Sequence, residues 1–339
     1  MRRILVVAPN WIGDALMAQP LLARLRARHP EARIDALGLP WVAPVLRRMP
    51  EVDEVIEADF RHGALELGRR FRLARLLRAR GYDCAFVLPN SWKSALAPFL
   101  AAIPERIGYT GEARYGLLNR RRRARGAPMA EHYAALADPP GEPAAAPLPK
   151  TVLRADPARA SATAARFGIR GDYAVLCPGA EYGPAKRWPY FAELAPRLAL
   201  PAVLVGSAKD ADACAGIAAL DLCGKTTLDE AIDLIAGARF VVANDSGLMH
   251  VAAALDRPLV AIFGSSSPLH TPPRSARARA LWLSLECSPC FARVCPLGHL
   301  RCLREITVEQ AARGAARARL RACGRFSATI APRENRPCP

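Results

Sequence analysis

The stretch FVVANDSGLMHVAAAL (240–255) decides the fold. Its apolar, β-branched run, 240–243, stops abruptly at Asn244-Asp245-Ser246-Gly247, and a helix-like stretch, 248–255, follows at once. A strand, a tight polar turn and a helix start place free backbone N–H groups and a hydroxyl at the carboxyl end of a sheet. Open α/β sheets bind anionic ligands there. The segment PGAEYGPAKRWP (178–189) repeats the arrangement, since a glycine-bearing loop follows the strand-like run 173–177 and supplies Lys186 and Arg187. Two such loops in one half of the chain suggest a site for a nucleotide diphosphate.

Working outward, strand signals at 4–8, 34–37, 55–57 and 84–88 alternate with helical spacing at 15–28, 41–49, 68–80 and 94–102. The pattern breaks down from Arg120, where 120–123 and 125 are arginines, and DPPGEPAAAPLP (138–149) reads as a linker. A second series follows, with strands at 173–177, 202–205, near 221, 240–243 and 259–263, helices between them, and a terminal helix at 307–323. Alternation of this kind implies mostly parallel sheets with helices on both faces. The expected architecture is α/β: two Rossmann-like domains with parallel sheets facing a central cleft. Residues 1–150 form the first domain with its linker, 151–325 the second, and 326–339 a disordered tail.

A length of 339 residues suits two domains, and 51% hydrophobic residues are ample for two cores. No apolar run reaches the ~18–20 residues that span a bilayer. The N-terminus MRRILVVAPNWIGDALM has a charged start, but its apolar run of about five residues is too short for a signal peptide. It reads as a first buried strand, and the expected location is the cytoplasm. The net charge of +17 points to a polyanionic partner or to an arginine-rich proteome. Nucleic acid is not the expected partner, because aromatics make up 6% of the chain and do not interleave with the basic clusters. Gly224-Lys225-Thr226 imitates the end of a P-loop, but Ala219 stands where that motif needs glycine. No GxGxxG follows a strand, so a nicotinamide site has no support.

Asp14, in NWIGD, is either a helix cap or a general base projecting from the loop. Lys186, stiffened by Pro184, Trp188 and Pro189, is either a surface lysine or a point-charge contact to phosphate. Ser246 and Gly247 suit a phosphate, Asp245 suits a hydroxyl, and His250 either packs against the loop or binds. Cys287, Cys290, Cys295 and Cys302 form C-x2-C-x4-C-x6-C. That spacing is open to a structural zinc or iron, to free structural thiols, or to redox chemistry.

Read together, these segments resemble the bacterial lipopolysaccharide heptosyltransferases, glycosyltransferase family 9, in particular their type II branch. The matching stretches are NWIGDALMAQP (10–20), RMPEVDEVI (48–56), HGALELG (62–68), VLPNSWKSALAPF (87–99), RIGYTGEARYGLLN (106–119), CPGAEYGPAKRWP (177–189), GSAKD (206–210) and NDSGLMHVAAALDRPLVAIFGSSSP (244–268). The resemblance implies a GT-B architecture with the acceptor in the N-terminal lobe and ADP-L-glycero-D-manno-heptose in the C-terminal lobe. It places Asp14 as general base and Lys186 on the donor phosphates, with Asp245, Ser246, Gly247 and His250 in the donor-binding turn. Asp210 falls at the ribose, and Thr226, Thr227 and Leu228 at the adenine. Asn10, Asn90, Ser91 and Lys93 are acceptor-side candidates. The implied reaction inverts the anomeric centre and requires no cofactor. The implied acceptor is heptosyl-Kdo2-lipid A at the inner face of the inner membrane, where arginines 69, 70, 72, 75 and 120–123 would steer the enzyme. The competing expectations are a type I enzyme acting one sugar earlier on Kdo-lipid A, and a non-catalytic binder of anionic membrane or nucleic acid.

Overall fold

Residues 4–7 offer no polar side chain to either face, so the strand they form has to be covered on both sides. In the computed structural model all four are buried. The structure describes residues 2–60, 65–124, 126–140, 142, 146–320 and 329–330. The chain splits into two compact units, Met1–Arg154 and Ala155–Pro339.

The first unit contains β1 (Arg3–Val7), α1 (Ile12–Arg28), β2 (Arg33–Gly38), α2 (Ala43–Arg47), β3 (Glu54–Glu57) and α3 (Leu67–Arg80). It continues with β4 (Cys84–Val87), α4 (Trp92–Leu100), β5 (Glu105–Tyr109), β6 (Arg120–Arg122) and α5 (Met129–Ala134). The strands make one parallel sheet in the order β3-β2-β1-β4-β5-β6. The chain winds outward from β1 to β3, then crosses back to lay β4 on the other side of β1. That reversal creates a topological switch point at the carboxyl ends of β1 and β4, where doubly wound sheets bind ligands.

The second unit repeats the plan. It contains α6 (Pro157–Arg166), β7 (Ala174–Cys177), α7 (Phe191–Leu194), β8 (Ala202–Leu204), α8 (Ala211–Cys214), β9 (Leu220–Asp221) and α9 (Leu228–Gly237). Then follow β10 (Phe240–Asn244), α10 (Gly247–Ala254), β11 (Leu259–Ile262), β12 (Ala278–Trp282), α11 (Arg301–Arg304), α12 (Val308–Leu320) and β13 (Thr329–Ile330). The parallel sheet runs β13-β12-β11-β10-β7-β8-β9, with its switch point between β10 and β7. Its core packs Leu176, Phe191, Val242, Ile262 and Leu303 together, each buried. Burial of such side chains contributes about 1.5–3 kcal/mol apiece. Both units carry the Rossmann-like strand order that the α/β expectation required.

Several elements depart from the sequence reading. α1 begins at Ile12 rather than 15, so Asp14 lies inside the helix. The stretch 210–219 holds a short 3-10 turn, Ala208–Asp210, and the four-residue α8 instead of a long helix. The arginine run at 120–122 is an edge strand, because β6 pairs with β5 alone and its exposed side chains need no core. Residues 151–154 belong with the first unit: Gln19, fully buried, donates to Val152 O at 2.7 Å and accepts from Val152 N at 2.8 Å. Arg154 N donates to Arg48 O at 2.8 Å. Asp138, at the start of the expected linker, is buried and paired with Arg24 and Arg28 of α1. The expected disordered tail, 326–339, lies outside the described residues except for β13, which pairs with β12.

Candidate functional site

In the second unit the sheet order fixes which loops become neighbours. Along the carboxyl edge, Asp245 follows β10, Lys186 follows β7, Asp210 follows β8, and Thr226–Leu228 follow β9, four adjacent strands in that order. The site candidates, scattered over 186–250 in sequence, therefore stand in one row.

Asn244 ties the two switch-point loops together. Fully buried at the end of β10, its Nδ2 donates to Pro178 O at 2.7 Å, and its Oδ1 accepts from Trp188 N at 3.1 Å. The next residue, Asp245, accepts from Lys186 Nζ at 2.6 Å and from Ser266 Oγ at 2.5 Å, both on Oδ2. Lys186 closes a 3-10 turn, Pro184–Lys186, and its ammonium lies 4.9 Å from the centre of the Tyr182 ring. Ala185 N donates to Arg293 O at 3.1 Å, and Ser265 N donates to Ala185 O at 3.1 Å, so the turn is gripped from two later loops. Gly183 has a φ of +149°, and a Cβ there would meet Arg293 O at 2.5 Å. Only glycine fits between these loops.

Ser246 is the N-cap of α10 in extended conformation, yet its side chain makes no capping hydrogen bond. Its hydroxyl is buried and has no hydrogen-bond partner among the described residues. A buried hydroxyl without a partner at a helix N-terminus is suited to donate to an anion. His250, one turn on, is buried, and that burial pulls its pKa down to about 4; Asp245 opposes the shift and Lys186 adds to it. The imidazole is therefore neutral at physiological pH.

Asp210 is more committed than the sequence suggested. Its Oδ2 accepts from Ser207 N at 2.9 Å and Ser207 Oγ at 2.8 Å in a capping box. Its Oδ1 has no hydrogen bond among the described residues, although the Arg187 guanidinium stands 3.9 Å away. Thr227 caps α9: its Oγ1 accepts from Glu230 N, and Glu230 Oε2 accepts from Thr227 N at 2.8 Å. That is a structural role; Thr226 and Leu228 flank it at the start of the same helix.

In the first unit the switch-point loops hold Asn10, Asn90 and Ser91, and the first turns of the helices that follow them, α1 and α4, hold Asp14 and Lys93. Asp14 is half-buried in the first turn of α1, and Trp11 occupies the N-cap without a side-chain bond. The capping reading of Asp14 is thus corrected. Its charge reaches Tyr133, whose phenol is raised far above its usual range by burial and then by Asp14. The backbone oxygen of Asn10 accepts from Trp41 Nε1 at 2.9 Å. Sequence reasoning missed Arg114, 1% exposed, whose guanidinium donates to Pro89 O at 2.5 Å and to Tyr109 O, and reaches Asn90 Oδ1 at 3.5 Å. Glu112 Oε2 accepts from Trp92 N at 3.1 Å. These contacts set the shape of the 89–92 loop. Arg70 is another correction: it is buried against the Phe60 ring and donates to Lys93 O at 2.7 Å, so it cannot steer anything from the surface.

The four clustered cysteines spread from core to solvent, with Cys302 buried, Cys287 and Cys295 half-buried and Cys290 exposed. Among the described residues, the set with ligand atoms within 4.8 Å of one another is instead Cys214, Asp221 and Cys223. Cys214 and Cys223 form a disulfide, a pairing that their spacing did not suggest. Burial pushes the Cys302 thiol up to about 11, and Cys287, Cys295 and Cys290 add to that shift, so the four sulfurs of the 287–302 segment are neighbours.

The family model for glycosyltransferase family 9 (heptosyltransferase) matches residues 70–301. The chain is 47% identical over 306 residues to lipopolysaccharide heptosyltransferase 2 of Salmonella typhimurium, covering 83% of this chain and 88% of that one. It superposes on the structure of Escherichia coli ADP-heptose lps heptosyltransferase II with a TM-score of 0.84 at 42% identity, covering 94% of this chain and 99% of that one. Similarity to lipopolysaccharide heptosyltransferase 1 of Pseudomonas aeruginosa is lower, 28% identity over 86% of this chain and 87% of that one. With the family match spanning residues 70–301 and the fold agreeing over 94% of the chain, this protein belongs to glycosyltransferase family 9, the heptosyltransferases.

Proposed function

We propose that the chain transfers L-glycero-D-manno-heptose from ADP-heptose to the first heptose of the lipopolysaccharide inner core, inverting the anomeric configuration. The observation that carries this reading is the row of loops on the second sheet. Lys186 and the start of α10 come first, Asp210 next and Thr226–Leu228 last, an order that suits diphosphate, ribose and adenine of one extended nucleotide.

In this mechanism Asp14 takes the proton from an acceptor hydroxyl as its oxygen attacks the anomeric carbon. The C1–O bond to the diphosphate breaks on the opposite face, and ADP leaves with the bonding electron pair. Negative charge grows on the diphosphate during departure. Lys186, the Ser246 hydroxyl and the first N–H groups of α10 are preorganised to meet it. His250, neutral and packed behind the turn, adds no charge of its own. Asn10, Asn90, Ser91 and Lys93 face the acceptor in this reading, with Arg114 holding their loop in shape.

No helix among the described residues is long and apolar enough to cross a membrane. The enzyme in this proposal works from the cytoplasmic side, docking peripherally on an anionic bilayer to reach heptosyl-Kdo2-lipid A. The test is turnover of ADP-heptose with purified acceptor lipid bearing no heptose or one. Transfer to the mono-heptosylated lipid alone supports the proposal. Transfer to the heptose-free lipid alone would make this a type I enzyme, and transfer to neither would reopen the choice of sugar.

A further inference from the structure

The residues gathered at the β7/β10 switch point hold little net positive charge for a diphosphate. Lys186 is paired with Asp245 at 2.6 Å, and Asp210 adds a second carboxylate that faces Arg187 at 3.9 Å. His250 is neutral there. Another cation stands beside this group on the loop joining β12 to α11. Arg293 is exposed, and no carboxylate of the described residues pairs with it. Its guanidinium carbon lies 5.2 Å from the centre of the Tyr182 ring, the ring that also carries the Lys186 ammonium at 4.9 Å.

The backbone around Arg293 is fixed by the Lys186 turn. Arg293 O accepts from Ala185 N at 3.1 Å, directly before Lys186 in the chain. Tyr182 Oη donates to Phe291 O at 2.5 Å, and Phe291 N donates to Ser265 O at 2.7 Å. Gly183 lets the two loops touch where any side chain would collide with Arg293 O. A free guanidinium, aligned on the face of an aromatic ring and anchored at its own backbone, loses little entropy on binding phosphate oxygens, and its planar fork suits them.

We propose that Arg293 is a second cationic ligand of the donor's diphosphate, delivered by the loop between β12 and α11, with Tyr182 as the platform that holds it beside Lys186. The inference rests on the nucleotide-diphosphate reading above. It also gives the 287–302 loop a function that does not depend on a metal: it carries this arginine to the phosphates.

The test is calorimetric titration of ADP and of AMP into the wild type, Arg293→Met and Arg293→Lys at several salt concentrations, with thermal melts of each. Methionine keeps the apolar stem over Tyr182 and removes the charge. Arg293→Met should weaken ADP binding about tenfold or more, weaken AMP less because it lacks the β-phosphate, and flatten the salt dependence of ADP affinity. Arg293→Lys should recover part of the loss. A purely structural arginine would lower the melting point and leave the salt slope unchanged. Wild-type ADP affinity and salt slope in a folded Arg293→Met protein would overturn this inference while the donor reading stands. Absence of ADP binding by the wild type would overturn both.

Discussion

The Lys186 ammonium and the Asp245 carboxylate, 59 residues apart in sequence, meet at 2.6 Å, and Ser266 shares the same carboxylate oxygen at 2.5 Å. The lysine is therefore held in place before any ligand arrives. Asp245 orients it, and in the proposed mechanism Ser266 would keep that oxygen hydrogen-bonded as the ammonium turned to a phosphate. Removal of one such preorganised donor costs about 3–4 kcal/mol in the transition state, roughly 100- to 1000-fold in rate. Lys186→Ala should lose turnover by that factor while remaining folded, as measured by steady-state kinetics beside a thermal melt. Near-normal turnover in the folded variant would remove Lys186 from the mechanism.

In the proposed mechanism Asp14 accepts the acceptor's proton, so its replacement by the isosteric asparagine should cost chemistry more than stability. Asp14→Asn is expected to lower kcat by about 100-fold or more, the range of a lost general base, with little change in the ADP dissociation constant. A large loss of thermal stability with modest loss of kcat would assign Asp14 a structural role instead.

His250 couples acid to unfolding. Its folded pKa, about 4, lies below the ordinary value of 6.5, so the unfolded chain binds the extra proton first as pH falls. The stability tied to its neutral form is complete above pH 6.5 and drains away between 6.5 and about 4, by about 3 kcal/mol at most. Urea titrations at pH 7.0, 6.0 and 5.0 should show stability falling more steeply in the wild type than in His250→Gln. Equal slopes would show that the imidazole is not held neutral by the fold.

Gly179 is constrained by space rather than by backbone conformation. A Cβ there would lie 2.1 Å from Asp210 Cγ, and that carboxylate is pinned by its capping box. Gly179→Ala should destabilise the second unit by about 1–3 kcal/mol, the usual cost of overpacking, and weaken ADP binding as Asp210 is displaced. Gly68→Ala, in α3 with nothing within 4 Å, is the control and should be neutral or slightly stabilising. Equal denaturant midpoints for the two variants would count against the packing argument.

α3 exposes Leu67, Phe71 and Leu76 beside the arginines 69, 72 and 75. Apolar and basic side chains on one helix suit the headgroup boundary of an anionic bilayer, at about 1 kcal/mol for each arginine near the surface. Sedimentation with vesicles containing phosphatidylglycerol should show binding that weakens as salt rises. Arg72→Glu with Arg75→Glu should abolish most of it. Binding indifferent to the anionic lipid content would argue against peripheral docking by this route.

The elements that sequence alone determined are those whose signals are local. The apolar run 240–243 and the polar turn after it specify a strand, a turn and a helix within sixteen residues, and β10 and α10 follow that reading nearly to the residue. The same holds for β1, β4, β7 and β11, which are continuous buried runs. β5, β6 and β12 were not legible, because charged residues at sheet margins imitate loops until a neighbouring strand supplies their hydrogen bonds. Asp14, Lys186 and the turn at 245–247 stand out in the sequence as candidates because each follows a strand signal. What only the tertiary structure decided is who meets whom. The crossover from β9 to β10 beside β7 puts Asp245 on Lys186, and the return of the chain after β12 brings Arg293 to Tyr182. Those contacts join residues tens of positions apart, and no local propensity encodes them; the strand order of a wound sheet does.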